Sequence, residues 1–371
     1  MPGKIRLSKS TIGQEEKNAV LSVLDKEFLG MGEEVSLFEQ EIKSYLQTSN
    51  EVVCVSTGTS AIHLAIEALG LSFSDEILVP SLTYIASFQA ISGSNVKPIP
   101  VEISEDTLFI NLDDAKKRLT PNTKAIMVVH YASNSKDILD VYKFAKENNL
   151  RVIEDAAQAF GCKNNMGKVG SSGDIICFSF DGIKNITSGE GGAIVTGDTK
   201  VIARVQDARL LGVEKDTEKR FEGIRSWDFD VKYQGYRYHM SNIFAAIGRE
   251  QLKKIDSIKK KRKKIINSYL ENLKDIKNIK MLNFNYQDII SHIFVIKTTK
   301  RDALRNFLIS KNIECGIHYK PNHLLSKYKT NYILPITERV YEEILTLPCH
   351  LDLSEEEQYF IINSIKEFFN E

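Results

Sequence analysis

Apolar residues recur at helical spacing over 14–25 and 33–46, and Val35, Phe38, Ile42 and Tyr45 share one face of the second segment. Between them Phe28-Leu29-Gly30-Met31-Gly32 forms a loop whose glycines permit close approach. From residue 51 the pattern changes, and short apolar runs alternate with amphipathic segments. Strands are predicted at 52–55, 77–79, 98–101, 125–129, 152–154, 175–180 and 193–195, and helices at 61–69, 86–93, 112–119 and 139–148. This alternation implies an α/β domain with a mainly parallel sheet. Ligands on such sheets bind beyond the carboxyl ends of the strands, so the residues just after each strand are the first candidates for a site. A long helix is predicted over 241–269, with Leu252, Ile255, Ile258, Ile265 and Tyr269 on one stripe. The run Lys259-Lys260-Lys261-Arg262-Lys263-Lys264 is read as its solvated face rather than a nucleic-acid contact. A second α/β segment follows, with a strand at 293–297, a helix at 302–311 and a last helix at 355–369.

A chain of 371 residues exceeds one compact domain, and we divide it into a large domain, 1–250, and a smaller C-terminal one, 251–371. Lysine plus arginine and aspartate plus glutamate both total 49, so no net field draws the chain to nucleic acid or an anionic membrane. The cysteines, Cys54, Cys162, Cys177, Cys315 and Cys349, have neither metal-knuckle nor redox spacing and are read as reduced thiols of a cytoplasmic protein. The start lacks the apolar core of a signal peptide, and no apolar run approaches membrane-spanning length.

Three segments carry chemistry. In Ser56-Thr57-Gly58-Thr59-Ser60-Ala61 a strand gives way to a helix through a small-residue turn, where free N–H groups and the hydroxyls of Thr59 and Ser60 make a phosphate cup, or merely a helix cap. In Val152-Ile153-Glu154-Asp155-Ala156-Ala157-Gln158 a strand ends in an acid that either faces a ligand or caps a helix. In the stretch 177–192 an aromatic strand enters a glycine-rich loop holding a single lysine, Lys184. A buried lysine has its pKa lowered and becomes a nucleophilic amine suited to a Schiff base. The stretch 161–169 imitates a phosphate-binding P-loop, but its glycine spacing is one residue too long and Val169 replaces the required hydroxyl. His318 and His323 have no ligand-type neighbours at metal spacing, so no metal is expected; packing or a substrate contact is the role open to them.

Taken in order with Pro80-Ser81-Leu82-Thr83-Tyr84, 235–251 and 318–324, these segments resemble the DegT/DnrJ/EryC1/StrS family of sugar aminotransferases over nearly the whole chain. The resemblance implies the fold type I (aspartate aminotransferase-like) architecture of the pyridoxal 5′-phosphate enzymes. It places Lys184 at the Schiff-base lysine, Asp155 at the acid that pairs with the pyridine nitrogen, and Gln158 beside the ring 3-hydroxyl. Tyr84 falls at the aromatic stacked on the ring, and the Gly58 turn with Thr59, Ser60 and Ser179 at the phosphate ligands. Each residue type suits its role: the acid keeps the ring electron-withdrawing, the freed amine shuttles a proton, and the aromatic holds the ring plane.

The same resemblance implies a homodimer with shared active sites, because the segment Gly235-Tyr236-Arg237-Tyr238-His239-Met240-Ser241 reaches into the partner's site in that family. Here Arg237 stands where asparagine is frequent, His239 where arginine is, and Asp181 where histidine is. Arg237 remains suited to an anion, whether cofactor phosphate or substrate diphosphate. Arg237, His318 and His323 are therefore the candidate substrate contacts. The implied reaction carries an amino group from an amino acid, commonly glutamate, to a nucleotide-diphosphate 4-keto-6-deoxyhexose. Carbon 3 of a 3-keto sugar is the alternative acceptor. Such amino sugars would serve surface polysaccharides such as lipopolysaccharide O-antigen. Sugar-dehydrating relatives replace the lysine with histidine, and a non-catalytic relative would show a broken site; Lys184, Asp155, Gln158 and Ser179 are all present.

Overall fold

The computed structural model describes residues 3–370. Helices α1 (Gln14–Asp25) and α2 (Glu33–Leu46) lead into β1 (Glu51–Val55). Then come α3 (Gly58–Ala68), β2 (Glu76–Pro80), α4 (Ile85–Gly93), β3 (Lys97–Val101), α5 (Leu112–Lys117), β4 (Thr123–Val129), α6 (Ile138–Glu147) and β5 (Arg151–Asp155). A two-stranded hairpin, β6 (Lys163–Asn164) and β7 (Gly167–Lys168), occupies the P-loop-like stretch. Strands β8 (Ile175–Ser179) and β9 (Gly192–Thr196) complete the sheet.

The central sheet has seven strands in the order β1-β9-β8-β5-β4-β2-β3. Strands β3, β2, β4, β5 and β8 are parallel, and β9 runs antiparallel to both β8 and β1. The reversal of β9 leaves β1 pointing the same way as the other five. The carboxyl ends of β1, β2, β4, β5 and β8 therefore share one edge. Strands β2, β8 and β9 are buried along their whole length, as expected of a sheet covered on both faces.

Beyond β9 lie α7 (Thr199–Ala208), α8 (Asp216–Phe221), α9 (Asn242–Lys253) and α10 (Ile255–Leu273). The single helix predicted over 241–269 is thus two, broken at Lys254. Leu252, Ile255 and Ile258 keep helical spacing across the break, so the apolar pattern contains no sign of it. Its cause is tertiary: the Lys254 ammonium is tied to Glu15 at 3.0 Å and to both Glu16 oxygens at 2.7 and 2.8 Å, where α9 lies against α1. Lys260, Lys261 and Lys264 are exposed as expected, but Arg262 is buried and donates to the carbonyls of Ser291 and Cys349. The predicted helix 112–119 is also shorter, ending at Lys117.

A three-stranded antiparallel sheet of β10 (Lys280–Met281), β11 (Phe294–Lys297) and β12 (Ile344–Leu347) forms a second core with α10, α11 (Arg301–Ser310) and α13 (Glu355–Phe369). Helix α12 (Pro335–Glu343) precedes β12. Ile5 joins this core through a bridge to Ile313. We propose that 1–250 and 251–371 be treated as the two units, a division supported by the separate sheets and by the near coincidence of the helix break at Lys254.

One buried ion pair ties the first unit together. Arg209, fully buried, donates to Glu39 at 2.6 Å and to the Cys54 carbonyl at 2.7 Å, while Glu39 also accepts the Cys54 N–H at 2.7 Å. Replacing Arg209 by methionine leaves an unpaired acid in the core and is expected to lower stability by about 3–5 kcal/mol in denaturant unfolding. Replacing Glu39 as well should restore much of the loss.

Candidate functional site

The common strand edge assembles the segments singled out above. Asp155 ends β5 and Ser179 ends β8; Gly58 opens α3 after β1, and Tyr84 precedes α4 after β2. Lys184 lies in the loop between β8 and β9. Burial holds its ammonium below the ordinary lysine value, against the opposing charges of Asp181 and Asp155. Asp155 is 5% exposed, and burial raises its carboxyl above the usual range. The Ser87 hydroxyl at 2.7 Å and the Ala157 N–H at 3.2 Å oppose that shift, as do the charges of Lys184 and His130. No helix begins after β5, so Asp155 is not a helix cap.

Gln158 is held at both ends, its oxygen accepting the Ala132 N–H at 2.8 Å and its amide donating to the Tyr319 hydroxyl at 3.2 Å. Asn185, next to Lys184, donates to the carbonyls of Gln158 and Phe160. These bonds fasten the lysine loop to the segment after β5. Tyr84 is 57% exposed at the mouth of the cleft, its ring 5.5 Å from that of Tyr319.

The turn before α3 is a cap that leaves backbone amides free. Thr57 accepts the Ser60 N–H at 3.0 Å, and Ser60 answers by accepting the Thr57 N–H at 2.9 Å. The Ser60 hydroxyl also donates to the Thr57 carbonyl at 2.7 Å, so Ser60 shapes the turn. The amides of Gly58 and Thr59 stand at the first two helical positions, where no intrahelical acceptor exists, and the Thr59 side chain is exposed. Ser179 accepts the Asp181 N–H at 3.3 Å and keeps its own proton for a ligand. A Cβ on Gly58 would lie 2.6 Å from the Ser179 Cβ, so the cup closes around a glycine.

Two candidates lie outside the cleft of their own chain, His323 in the packed role left open to it and Arg237 on the segment expected to reach a partner. His323 does not face a substrate: it is 3% exposed, with Nδ1 at 2.7 Å from the Ser81 hydroxyl and Nε2 at 3.2 Å from Glu338. Arg237 is exposed on the far side of β1 and faces a cleft of about 130 Å³ lined with Leu210, Asp216, Arg220, Phe229 and His239. No contact within one chain brings it to Lys184. His318 does approach the cleft; burial and the Lys184 charge push it down to about 4, and its Nδ1 lies 2.8 Å from the Thr346 hydroxyl. Ser87, His130, Asn185, His292 and Tyr319 were not foreseen. Only Asn185 carried a signal, its place beside Lys184; the others come together through folding.

A mainly parallel sheet presenting a desolvated lysine, a buried acid and a helix N-terminus along one edge defines a pyridoxal 5′-phosphate-dependent transferase of fold type I. The chain belongs to the DegT/DnrJ/EryC1/StrS aminotransferase family, whose model matches residues 10–366. It is 35% identical over 363 residues to the GDP-perosamine synthase of Escherichia coli O157:H7, covering 96% of each chain. Among solved structures it is similar to Helicobacter pylori PseC, an aminotransferase involved in the biosynthesis of pseudoaminic acid (26% identity, TM-score 0.91, 99% of both chains). It is also similar to S. venezuelae DesV in complex with a ketimine intermediate (30% identity, TM-score 0.88, 96% of this chain and 95% of that one). The protein is a sugar aminotransferase with pyridoxal 5′-phosphate as cofactor, and the donor set of the cleft fits that cofactor's amine-reactive carbonyl, ring nitrogen and phosphate.

Since a Cβ on Gly58 would collide with Ser179, Gly58→Ala should lower stability by the ~1–3 kcal/mol typical of overpacking. Whatever shift of Ser179 relieves the clash should also weaken pyridoxal 5′-phosphate binding by the variant that remains folded. Titrating apo-protein with cofactor measures this.

Proposed function

We propose that the enzyme moves the amino group of L-glutamate to carbon 4 of a nucleotide-diphosphate 4-keto-6-deoxyhexose, with Lys184 carrying the cofactor. The observation that carries the reading is the pairing of a desolvated amine with a buried carboxylate in one cleft. Asp155 would face the ring nitrogen, Gln158 the 3-hydroxyl and Tyr84 the ring plane. The amides of Gly58 and Thr59, with the hydroxyls of Thr59 and Ser179, would hold the phosphate, and Ser60 would fix the turn that presents them. Bound pyridoxal phosphate supplies the electron sink for the carbon that gains nitrogen. Lys184, its ammonium destabilised by burial, is suited to take and return a proton at that carbon. His318, its pKa lowered by burial and the Lys184 charge, and Tyr319, whose ring lies against that of Tyr84, would contact the sugar.

No arginine lies in the Gly58, Asp155 or Lys184 segments to clamp a second carboxylate, which supports a sugar acceptor over an amino-acid one. The likeness to a GDP-perosamine synthase makes a GDP-linked 4-keto sugar the first acceptor to test, and a surface polysaccharide such as O-antigen the proposed destination. The five buried free thiols support the cytoplasm as the compartment. No described helix is long and apolar enough to cross a membrane.

Assayed with glutamate and a panel of nucleotide-linked keto sugars, the enzyme should convert a 4-keto-6-deoxy sugar, with the new C–N bond at carbon 4 by NMR. Lys184→Ala should be inert. Amination at carbon 3 would overturn the regiochemistry alone, whereas turnover confined to free amino acids would sink the reading.

We further propose a homodimer with shared sites. Leu211, Ile224, Trp227, Phe229 and Tyr233 are 47%, 55%, 86%, 55% and 66% exposed, a broad apolar surface beside Arg237 of the kind that marks a protein interface. Arg237 would then serve the phosphate or diphosphate in the partner's cleft. Mixing inactive Lys184→Ala with inactive Arg237→Ala protein should recover part of the activity; subunit exchange without recovery would refute sharing.

A further inference from the structure

Asp155 does not meet the cleft unaided. Its Oδ1 accepts the Ala157 N–H at 3.2 Å, and its Oδ2 accepts the Ser87 hydroxyl at 2.7 Å. A hydroxyl has one proton, and that of Ser87 is given to Asp155. The 3.0 Å contact between Thr83 Oγ1 and Ser87 Oγ must therefore run from Thr83 to Ser87. The result is a chain with a fixed direction, Thr83 to Ser87 to Asp155. Thr83 is 1% exposed and Ser87 is fully buried, so water does not compete for these bonds.

The segment that supplies both hydroxyls is held from the C-terminal part of the chain. Asn322 donates its side-chain amide to the carbonyls of Ser81 at 3.2 Å and Thr83 at 2.8 Å, and its backbone N–H to Ser81 at 2.9 Å. His323 donates its N–H to the Ser81 hydroxyl at 3.1 Å and is braced on its other side by Glu338. The segment fastened in this way also carries Tyr84.

We propose that Ser87 is a positioning residue for Asp155: backed by Thr83, its hydroxyl keeps the buried carboxylate ionised and aimed into the cleft, and Asn322 and His323 hold the segment in place. The proposal rests on the reading that Asp155 pairs with the cofactor's ring nitrogen. Burial disfavours the charged form of an acid, and a hydrogen bond donated to that form restores it, more strongly where water is excluded. Without the Ser87 hydroxyl, Asp155 would hold its proton to higher pH and present a neutral acid to the ring. The other titratable groups facing Asp155 are Lys184, His130 after β4, Cys177 in β8 and Tyr319; none replaces the Ser87 bond.

The test compares Ser87→Ala, Ser87→Thr and Thr83→Val with the parent. Three quantities are read: the titration of Asp155 in apo-protein by carbon NMR of labelled aspartate, the affinity for pyridoxal 5′-phosphate, and the separate values of kcat and KM. Ser87→Ala should raise the Asp155 midpoint so that its acid dissociation constant falls roughly tenfold, the usual worth of one hydrogen bond to a charged group. Cofactor affinity should fall by a similar factor. Turnover should drop at neutral pH and recover in part as pH rises, with KM for the nucleotide sugar unchanged. Ser87→Thr should restore all three, and Thr83→Val should move them the same way by less. An unshifted Asp155 midpoint in Ser87→Ala, or a threonine variant as impaired as the alanine one, would overturn the proposal. Should Ser87→Ala fail to fold, Thr83→Val decides by the same readings. A raised midpoint with unchanged turnover would leave the positioning intact and remove Asp155 from the catalytic reading instead.

Discussion

A carboxylate kept at the end of a buried strand is the constraint around which the cleft is arranged. Asp155 lies where ionisation is costly, and nothing on β5 itself relieves that cost. Relief comes first from the hydroxyl of Ser87 on α4, distant in sequence, then from the nearby Ala157 N–H, and further from the ammonium of Lys184 and the His130 charge beyond β4. The amine is strained in the opposite sense, since the same dry surroundings disfavour its charged form. Amine and acid are each pushed toward neutrality by burial and pulled back by the other.

Sheet direction makes this meeting possible. Because β9 reverses between β1 and β8, the helix N-terminus after β1 comes to lie beside the carboxyl end of β8 and the start of β9. Contact there is tight enough that a Cβ on Gly192 would come within 2.3 Å of the Thr57 carbonyl. Gly192 therefore serves backbone proximity, while Gly189 takes a left-handed φ of +85°. The C-terminal unit closes the other side, with Gln158 donating to Tyr319, Tyr131 to the His318 carbonyl, and Glu102 accepting the N–H groups of Ile336 and Thr337 at the start of α12.

Much of this was legible before folding. The seven strands, the parallel sheet and the Lys184, Asp155 and Gly58 segments followed from apolar runs punctuated by small residues, because each is a property of a few consecutive positions. The break at Lys254, the burial of Arg262 and the excursion bearing Trp227 were not legible, because each depends on what a segment packs against. His323 illustrates the difference. Its residue type left packing and a substrate contact both open, and Ser81, 242 positions away, and Glu338 decide for packing by taking both ring nitrogens.

What the sequence by itself determined was the set of chemical groups and the strand ends that carry them, since secondary structure and residue type are local. What only the tertiary structure decided was which groups stand within hydrogen-bond reach and how far water is excluded from them. Those two quantities set the protonation of Asp155, Lys184 and His318, and they arise from contacts between residues tens to hundreds of positions apart.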